Sequence, residues 1–123
     1  MTDKLRSMLG VQRNKKKEII CSKVVFRKSI FRKAFGLMLH KKIHDEAHIF
    51  VFDTKRKVDL TMWFVFFPID VLFLDAKKRI VEIKQDFRPF SNYFPEKESL
   101  FVIELPEGTV KKKKLKINDK LEF

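Results

Sequence analysis

Cysteine is nearly absent from this 123-residue chain, and the one present, Cys21, excludes an internal disulfide. A metal site would have to gather histidines and acids around that single thiol, and such usage fits a reducing, cytoplasmic compartment. Glycine is almost as scarce, at 3 residues. No glycine-rich phosphate loop, nucleophile elbow or His-Glu-x-x-His segment is present, so nucleotide-hydrolysing and ordinary nucleophilic enzymes are not expected. The pattern offers no catalytic constellation and implies no cofactor. The first ten residues lack the apolar core of a secretory signal, and Thr2 excludes N-myristoylation. Long apolar runs are missing too. The greasiest stretch, Thr61 to Asp75, is broken by Pro68 and Asp70, well short of the about 20 apolar residues that a membrane helix needs. Its Trp, Phe and Val favour strands, and it reads as two core strands bent at Pro68.

Phenylalanine, by contrast, is abundant at 14 residues, which points to a strand-rich core with aromatic packing. Charge is lopsided: 28 Lys plus Arg against 16 Asp plus Glu give a net +12. A basic domain of this size favours anionic partners such as nucleic acid, a ribonucleoprotein or acidic lipid. The competing account is a soluble, lysine-rich surface of the kind found in heat-adapted proteins.

Residues 1–17 read as a mobile basic arm, with a short helix carrying Leu5, Met8 and Leu9, stopped by Gly10 and followed by a polar linker. A single domain over 18–123 follows. Alternation predicts a strand over 19–26, an amphipathic helix over 28–39, then strands over 47–52, 58–64, 69–74, 79–87 and 100–105. Polar turns separate them at 53–57 and 75–78, and the Pro-containing segment 88–99 reads as a long surface loop. After the lysine run, Leu115, Ile117, Leu121 and Phe123 fall at strand-like spacing. Many short strands with one short helix indicate an all-β fold, a small jelly-roll-like β-sandwich or barrel.

Several segments in this order resemble the family called domain of unknown function one-nine-two. They are Gly36, Leu37 and Met38; Ile49-Phe-Val-Phe52; Met62; Pro68-Ile-Asp70 with Val71-Leu-Phe-Leu-Asp75; Glu104 through Gly108; and the closing turn ending at Asp119. The resemblance spans about residues 19–123 and implies a jelly-roll-like sandwich, but no activity. It is that of an archaeal-type cytoplasmic member. Two places depart from the pattern. Trp63-Phe64-Val65 stands where the family has a polar Lys-Asn-Thr, and Asn118 replaces a glycine, a residue that also tolerates a left-handed turn.

Three basic runs are the main candidates for function: Arg13, Lys15, Lys16 and Lys17; Arg27, Lys28, Arg32 and Lys33; and Lys111, Lys112, Lys113 and Lys114 with Lys116. Gathered on one surface they would bind phosphates, with aromatics of the 88–99 loop (Phe90, Tyr93, Phe94) available for stacking. The bland alternative is a set of solvated faces. The leading expectation is a non-catalytic binding protein for nucleic acid or a ribonucleoprotein. The runner-up is a ligand-binding or enzymatic sandwich with a cavity near Met62, Asp70 and Glu104. Against it, Asp70 suits a turn carboxylate and Glu104 a buried ion pair. Peripheral membrane binding through the arm ranks last. His40, His44 and His48 recur every four residues, yet a strand beginning near His48 would break any shared helical face, so no metal site is expected.

Overall fold

The computed structural model describes residues 4–6, 8–28, 44–61 and 67–123. Arg32, Lys33, Gly36, Leu37, Met38, His40 and Met62 lie outside these, as does the body of the helix expected over 28–39. The elements are β1 (Lys4–Arg6), β2 (Leu9–Arg13), β3 (Lys16–Cys21), β4 (Lys23–Lys28), β5 (Glu46–Arg56), β6 (Leu60–Thr61), β7 (Ile69–Leu74), β8 (Ile80–Phe87), β9 (Asn92–Tyr93), β10 (Ser99–Pro106), α1 (Thr109–Lys113) and β11 (Leu121–Glu122).

A six-stranded sheet in the order β1-β4-β5-β10-β7-β8 faces a three-stranded sheet, β11-β2-β3. The result is a small β-sandwich, with one short helix among the described residues. Between the layers, Leu9, Val11, Ile20, Cys21 and Leu121 meet Val24, Ala47, Ile49, Leu72, Leu74, Ile80, Ile103 and Leu105, with Val110 of α1 and Leu115 closing one side. The opposite face of the large sheet carries a second core. There Phe50, Phe52, Val71, Phe73, Phe87 and Val102 pack with Val58, Leu60 and Phe67, and the β6–β9 pair lies in this region. Because both faces of β7 are covered, all six of its residues are buried, which explains why the sequence there, Asp70 apart, is apolar rather than alternating.

The pairs β5–β10, β10–β7 and β7–β8 are antiparallel, whereas β4 and β5 run parallel, a feature the strand pattern did not show. The single strand expected over 19–26 is two strands in different sheets. The chain turns at Ser22, whose amide donates to Asp45 Oδ1 at 2.9 Å while its hydroxyl bonds the same carboxylate. Short-range alternation cannot reveal such a corner, since apolar residues continue through it.

The beginning of the chain also differs from expectation. Residues 9–13 are strand β2, with Leu9 and Val11 fully buried, and 16–17 open strand β3; helix and linker are replaced by a hairpin. Gly10 stops no helix. It sits at a bulge in β2, where a Cβ would meet Lys17 Cε at 2.5 Å, so the Lys17 side chain lies across it. The polar segment at 53–56 continues β5 rather than turning, and the lysine run after Gly108 forms α1. Of the expected terminal strand, only Leu121–Glu122 is one. The β7–β8 hairpin through 75–78 forms as expected.

Candidate anion-binding surface

Two basic runs about one hundred residues apart in sequence meet at one end of the sandwich. Strands β2 and β3 are joined by a two-residue turn, Asn14-Lys15, with φ of 45° and 64°. Both values are positive, the geometry whose twist suits a tight hairpin. Arg13, immediately before the turn, reaches across to α1. Its Nη2 donates to the main-chain oxygens of Lys113 and Lys114, both at 2.9 Å, and lies 3.3 Å from Asp119 Oδ2. A cation therefore sits on the last carbonyls of a short helix, where the backbone is rich in unpaired acceptors.

This clamp ties the end of β2, just before Lys15, Lys16 and Lys17, to the end of α1; Lys15, Lys16, Lys17, Lys111, Lys112, Lys114 and Lys116 are exposed and Lys113 is half-buried. Acidic groups are present as well. Asp119 is committed to Arg13, to the Lys116 amide at 3.0 Å and to Lys116 Nζ at 3.3 Å, while exposed Glu18 and Glu107 dilute the field at the margins. Of the third basic run, Arg32 and Lys33 lie outside the described residues. Arg27 and Lys28 end β4, roughly 17 Å along the strand from Lys23. Lys23 itself is tied to Asp45 at the α1 end by a 3.2 Å backbone hydrogen bond.

Beside α1 lies an open cleft of about 290 Å³, lined by Ile20, Cys21, Asp45, Gly108, Lys112 and Lys113 among others. Its Cys21 thiol is pushed up to about 12 by burial first and by the Asp45 carboxylate second, so it stays protonated and unreactive at neutral pH.

Both carboxylate oxygens of Asp70 are taken up by backbone amides. Its Oδ1 accepts the Asp86 amide at 3.0 Å and its Oδ2 the Val110 amide at 2.9 Å, so one buried carboxylate ties the end of β8 to the start of α1. Glu104 points the other way. It pairs with Val71 and His48 across the sheet, on the face of the second core, whereas Asp70 pairs with Leu105 on the face between the layers. Asp70 and Glu104 therefore lie on opposite faces of the sheet, while Met62 lies outside the described residues. His48 is buried with Nε2 2.9 Å from Glu46 Oε2, while His44 is exposed in a bend, so these two do not share a helical face. Among the described residues no group of three His, Cys, Asp or Glu side chains is arranged to hold a metal ion. No described helix is long and apolar enough to cross a membrane.

Sequence reasoning missed Arg13 as an organiser, because a lone arginine in a basic stretch carries no local signal of a partner a hundred residues away. It also missed that Gly108 (φ 84°), Asp70 and Asp119, three positions of the family pattern, all converge on α1. Asn118 takes φ 78°, the left-handed turn expected of a residue in place of glycine.

Comparison with known proteins agrees with this architecture. The family model described as "Uncharacterized ACR, COG1430", DUF192, matches residues 11–123. A UPF0127 protein of Pyrococcus abyssi is 34% identical over 116 residues, covering 94% of this chain and 98% of the relative. One of Pyrococcus furiosus is 25% identical, covering 94% and 97%. Among solved structures, a Sinorhizobium meliloti protein provisionally described as a transcription regulator aligns with a TM-score of 0.77 at 21% identity, over 98% of this chain and 93% of that one. A Novosphingobium aromaticivorans protein of unknown function gives 0.72 at 20% identity, over 94% and 84%. At such identities the two structures speak for the fold alone, while the sequence matches settle the kinship: the chain belongs to the DUF192 (UPF0127) family.

Proposed function

We propose that the surface formed by the β2–β3 hairpin and α1 binds the phosphate backbone of a nucleic acid without catalysis. The observation that carries this reading is the Arg13 clamp, which ties the hairpin bearing one lysine run to three acceptors on α1 and its following turn, where the other run lies. The backbone adds support. Lys15 and Lys114 both occupy left-handed conformations, φ 64° and 54°, where glycine is unstrained and lysine costs about 1–2 kcal/mol. Keeping a long cation at each of two such exposed positions favours a role for the charge over mere solubility. Phosphate contacts from lysine give affinity without reading base sequence. The description of one fold neighbour as a transcription regulator is in keeping with this reading.

The test is fluorescence anisotropy with labelled DNA and RNA at low salt. Replacing Lys111, Lys112 and Lys114 by Gln should weaken binding at least tenfold, since three cations no longer neutralise phosphates. Replacing the exposed Lys55 and Lys57, at the far end of β5, should change it less than twofold. Equal losses from both sets would mean diffuse attraction by net charge and would overturn the patch.

A further inference from the structure

The far end of β5 holds a separate concentration of positive charge. Lys55, Arg56 and Lys57 are consecutive, and with Thr54 and Glu98 they line an open cleft of about 380 Å³. Asp53 and Asp59 flank the run in sequence but do not line the cleft. Three cations less one acid leave a net charge of +2 on the lining. Thr54, Lys55 and Lys57 are exposed, and Arg56 is half-buried. The start of β5 at Glu46 pairs with Lys23 at the α1 end, and Arg56 closes the strand roughly 30 Å further along. The cleft is thus remote from the hairpin and α1.

Arg56 is held in place. Its Nη2 donates to Thr54 Oγ1 at 3.1 Å, and its Cζ stands 5.9 Å over the Phe52 ring. Thr54 accepts in this bond, so its own hydroxyl proton stays available to a further acceptor. Across the sheet, Ser99 of β10 is the register partner of Arg56, which sets the two side chains as neighbours on one face. This rung carries two buried polar atoms without a hydrogen-bond partner among the described residues, Arg56 Nε and Ser99 Oγ, and Ser99 is fully buried. Buried polar groups are nearly always paired, so two orphans on one rung call for a missing partner. Both atoms carry a hydrogen to donate. An oxyanion supplies acceptors for both, and a guanidinium bonds it more strongly than a neutral donor would.

We propose that the cleft beside Arg56 binds a small, doubly charged oxyanion of the inorganic phosphate class. Arg56 offers the planar fork that fits such an anion, Thr54 and Ser99 offer hydroxyl donors, and Lys55 and Lys57 bring point charges from the rim. The net +2 of the lining is matched by a dianion better than by a singly charged carboxylate. This site stands apart from the nucleic-acid surface and does not depend on it.

The experiment is isothermal titration calorimetry of the full chain with inorganic phosphate, sodium chloride keeping the ionic strength constant. Wild type should take up one phosphate per chain, and acetate should bind at least about tenfold more weakly. Arg56→Lys, which keeps the charge and loses the fork, should weaken phosphate binding about tenfold. Lys55→Gln/Lys57→Gln, at two exposed positions that do not endanger the fold, should weaken it by a similar factor of about ten. Glu98→Gln removes the one lining acid and should tighten binding about twofold to threefold. Lys111→Gln/Lys112→Gln/Lys114→Gln should leave it within about twofold, since those lysines are remote. No saturable uptake by wild type overturns the site, as does phosphate affinity unchanged in Lys55→Gln/Lys57→Gln or in a folded Arg56→Lys. Equal losses from the β5 and α1 lysine variants mean attraction by net charge and overturn it too. A Lys55→Gln/Lys57→Gln variant that loses as much affinity for duplex DNA as for phosphate assigns the cleft to a nucleic-acid surface and overturns the free-anion reading.

Discussion

Lys15, Lys78 and Lys114 hold backbone conformations that glycine adopts freely, in a chain with only 3 glycines. Lys78 recovers the cost locally: its Nζ donates to a main-chain oxygen of Phe123 at 2.8 Å and stands 4.1 Å over the Phe123 ring. Lys15 is exposed at a hairpin tip, where water surrounds its ammonium. Replacing Lys15 by Gly should therefore stabilise the protein by about 0.5–1 kcal/mol in urea unfolding, the strain relieved outweighing the added freedom of the unfolded chain. The same variant should bind nucleic acid more weakly, so stability and affinity move in opposite directions. At Gly108 the sign reverses. With φ 84° and open space around its Cα, Gly108→Ala should cost about 1 kcal/mol from backbone strain alone. Asp70→Ala would strip an acceptor from two amides at once, and a loss of about 2–4 kcal/mol is expected by denaturant melting.

Burial also sets an alkaline limit. The Cys21 thiol is raised from 9.0 to about 12 chiefly by burial, and the Tyr93 hydroxyl from 10.0 to about 12 by burial and its bond to Glu82. In the unfolded chain these groups lose their protons from pH 9 and pH 10 upward, while the folded protein keeps them. Their contribution to stability is complete below pH 9 and is lost as pH rises towards 12. Urea midpoints measured from pH 8 to pH 11 should fall, and Cys21→Ser should lessen the fall.

Among the elements, α1 is too short to stand alone and takes its position entirely from its surroundings. Asp70 holds its second residue, Val110 and Leu115 anchor its inner side, and Arg13 holds its last carbonyls. Arg13→Ala should lower stability by about 1–2 kcal/mol, from charge-assisted bonds that are partly solvated. It should also weaken nucleic-acid binding more than Lys16→Ala, because it uncouples hairpin from helix as well as removing a charge. The strands β5, β7, β8 and β10 were legible in the sequence because each carries apolar residues of the right length bounded by turn residues. The segments misread were those whose structure is decided at long range. The β2–β3 hairpin uses a lysine where a turn signal would place glycine, and its basic residues resemble a solvated linker. The corner at Ser22 depends on Asp45, and α1 depends on Asp70 and Arg13. The basic runs were visible as candidates, but only the fold shows that Arg13, at the hairpin, bonds the carbonyls of Lys113 and Lys114.

For the molecule as a whole, a net charge of +12 admits two accounts. One is a solvated, lysine-rich surface of the kind found in heat-adapted proteins. General attraction of that kind is spread over the surface, whereas a built patch concentrates phosphate binding at the hairpin and α1. The two differ in how affinity responds to salt. The decisive measurement is the slope of log affinity against log salt for a DNA duplex, compared between wild type and the Lys111→Gln/Lys112→Gln/Lys114→Gln variant. Each phosphate left without its lysine takes about 0.9 off the slope, so a working patch predicts a reduction of about 2–3. A slope unchanged by the three substitutions would contradict the claim that hairpin and α1 together form the nucleic-acid surface.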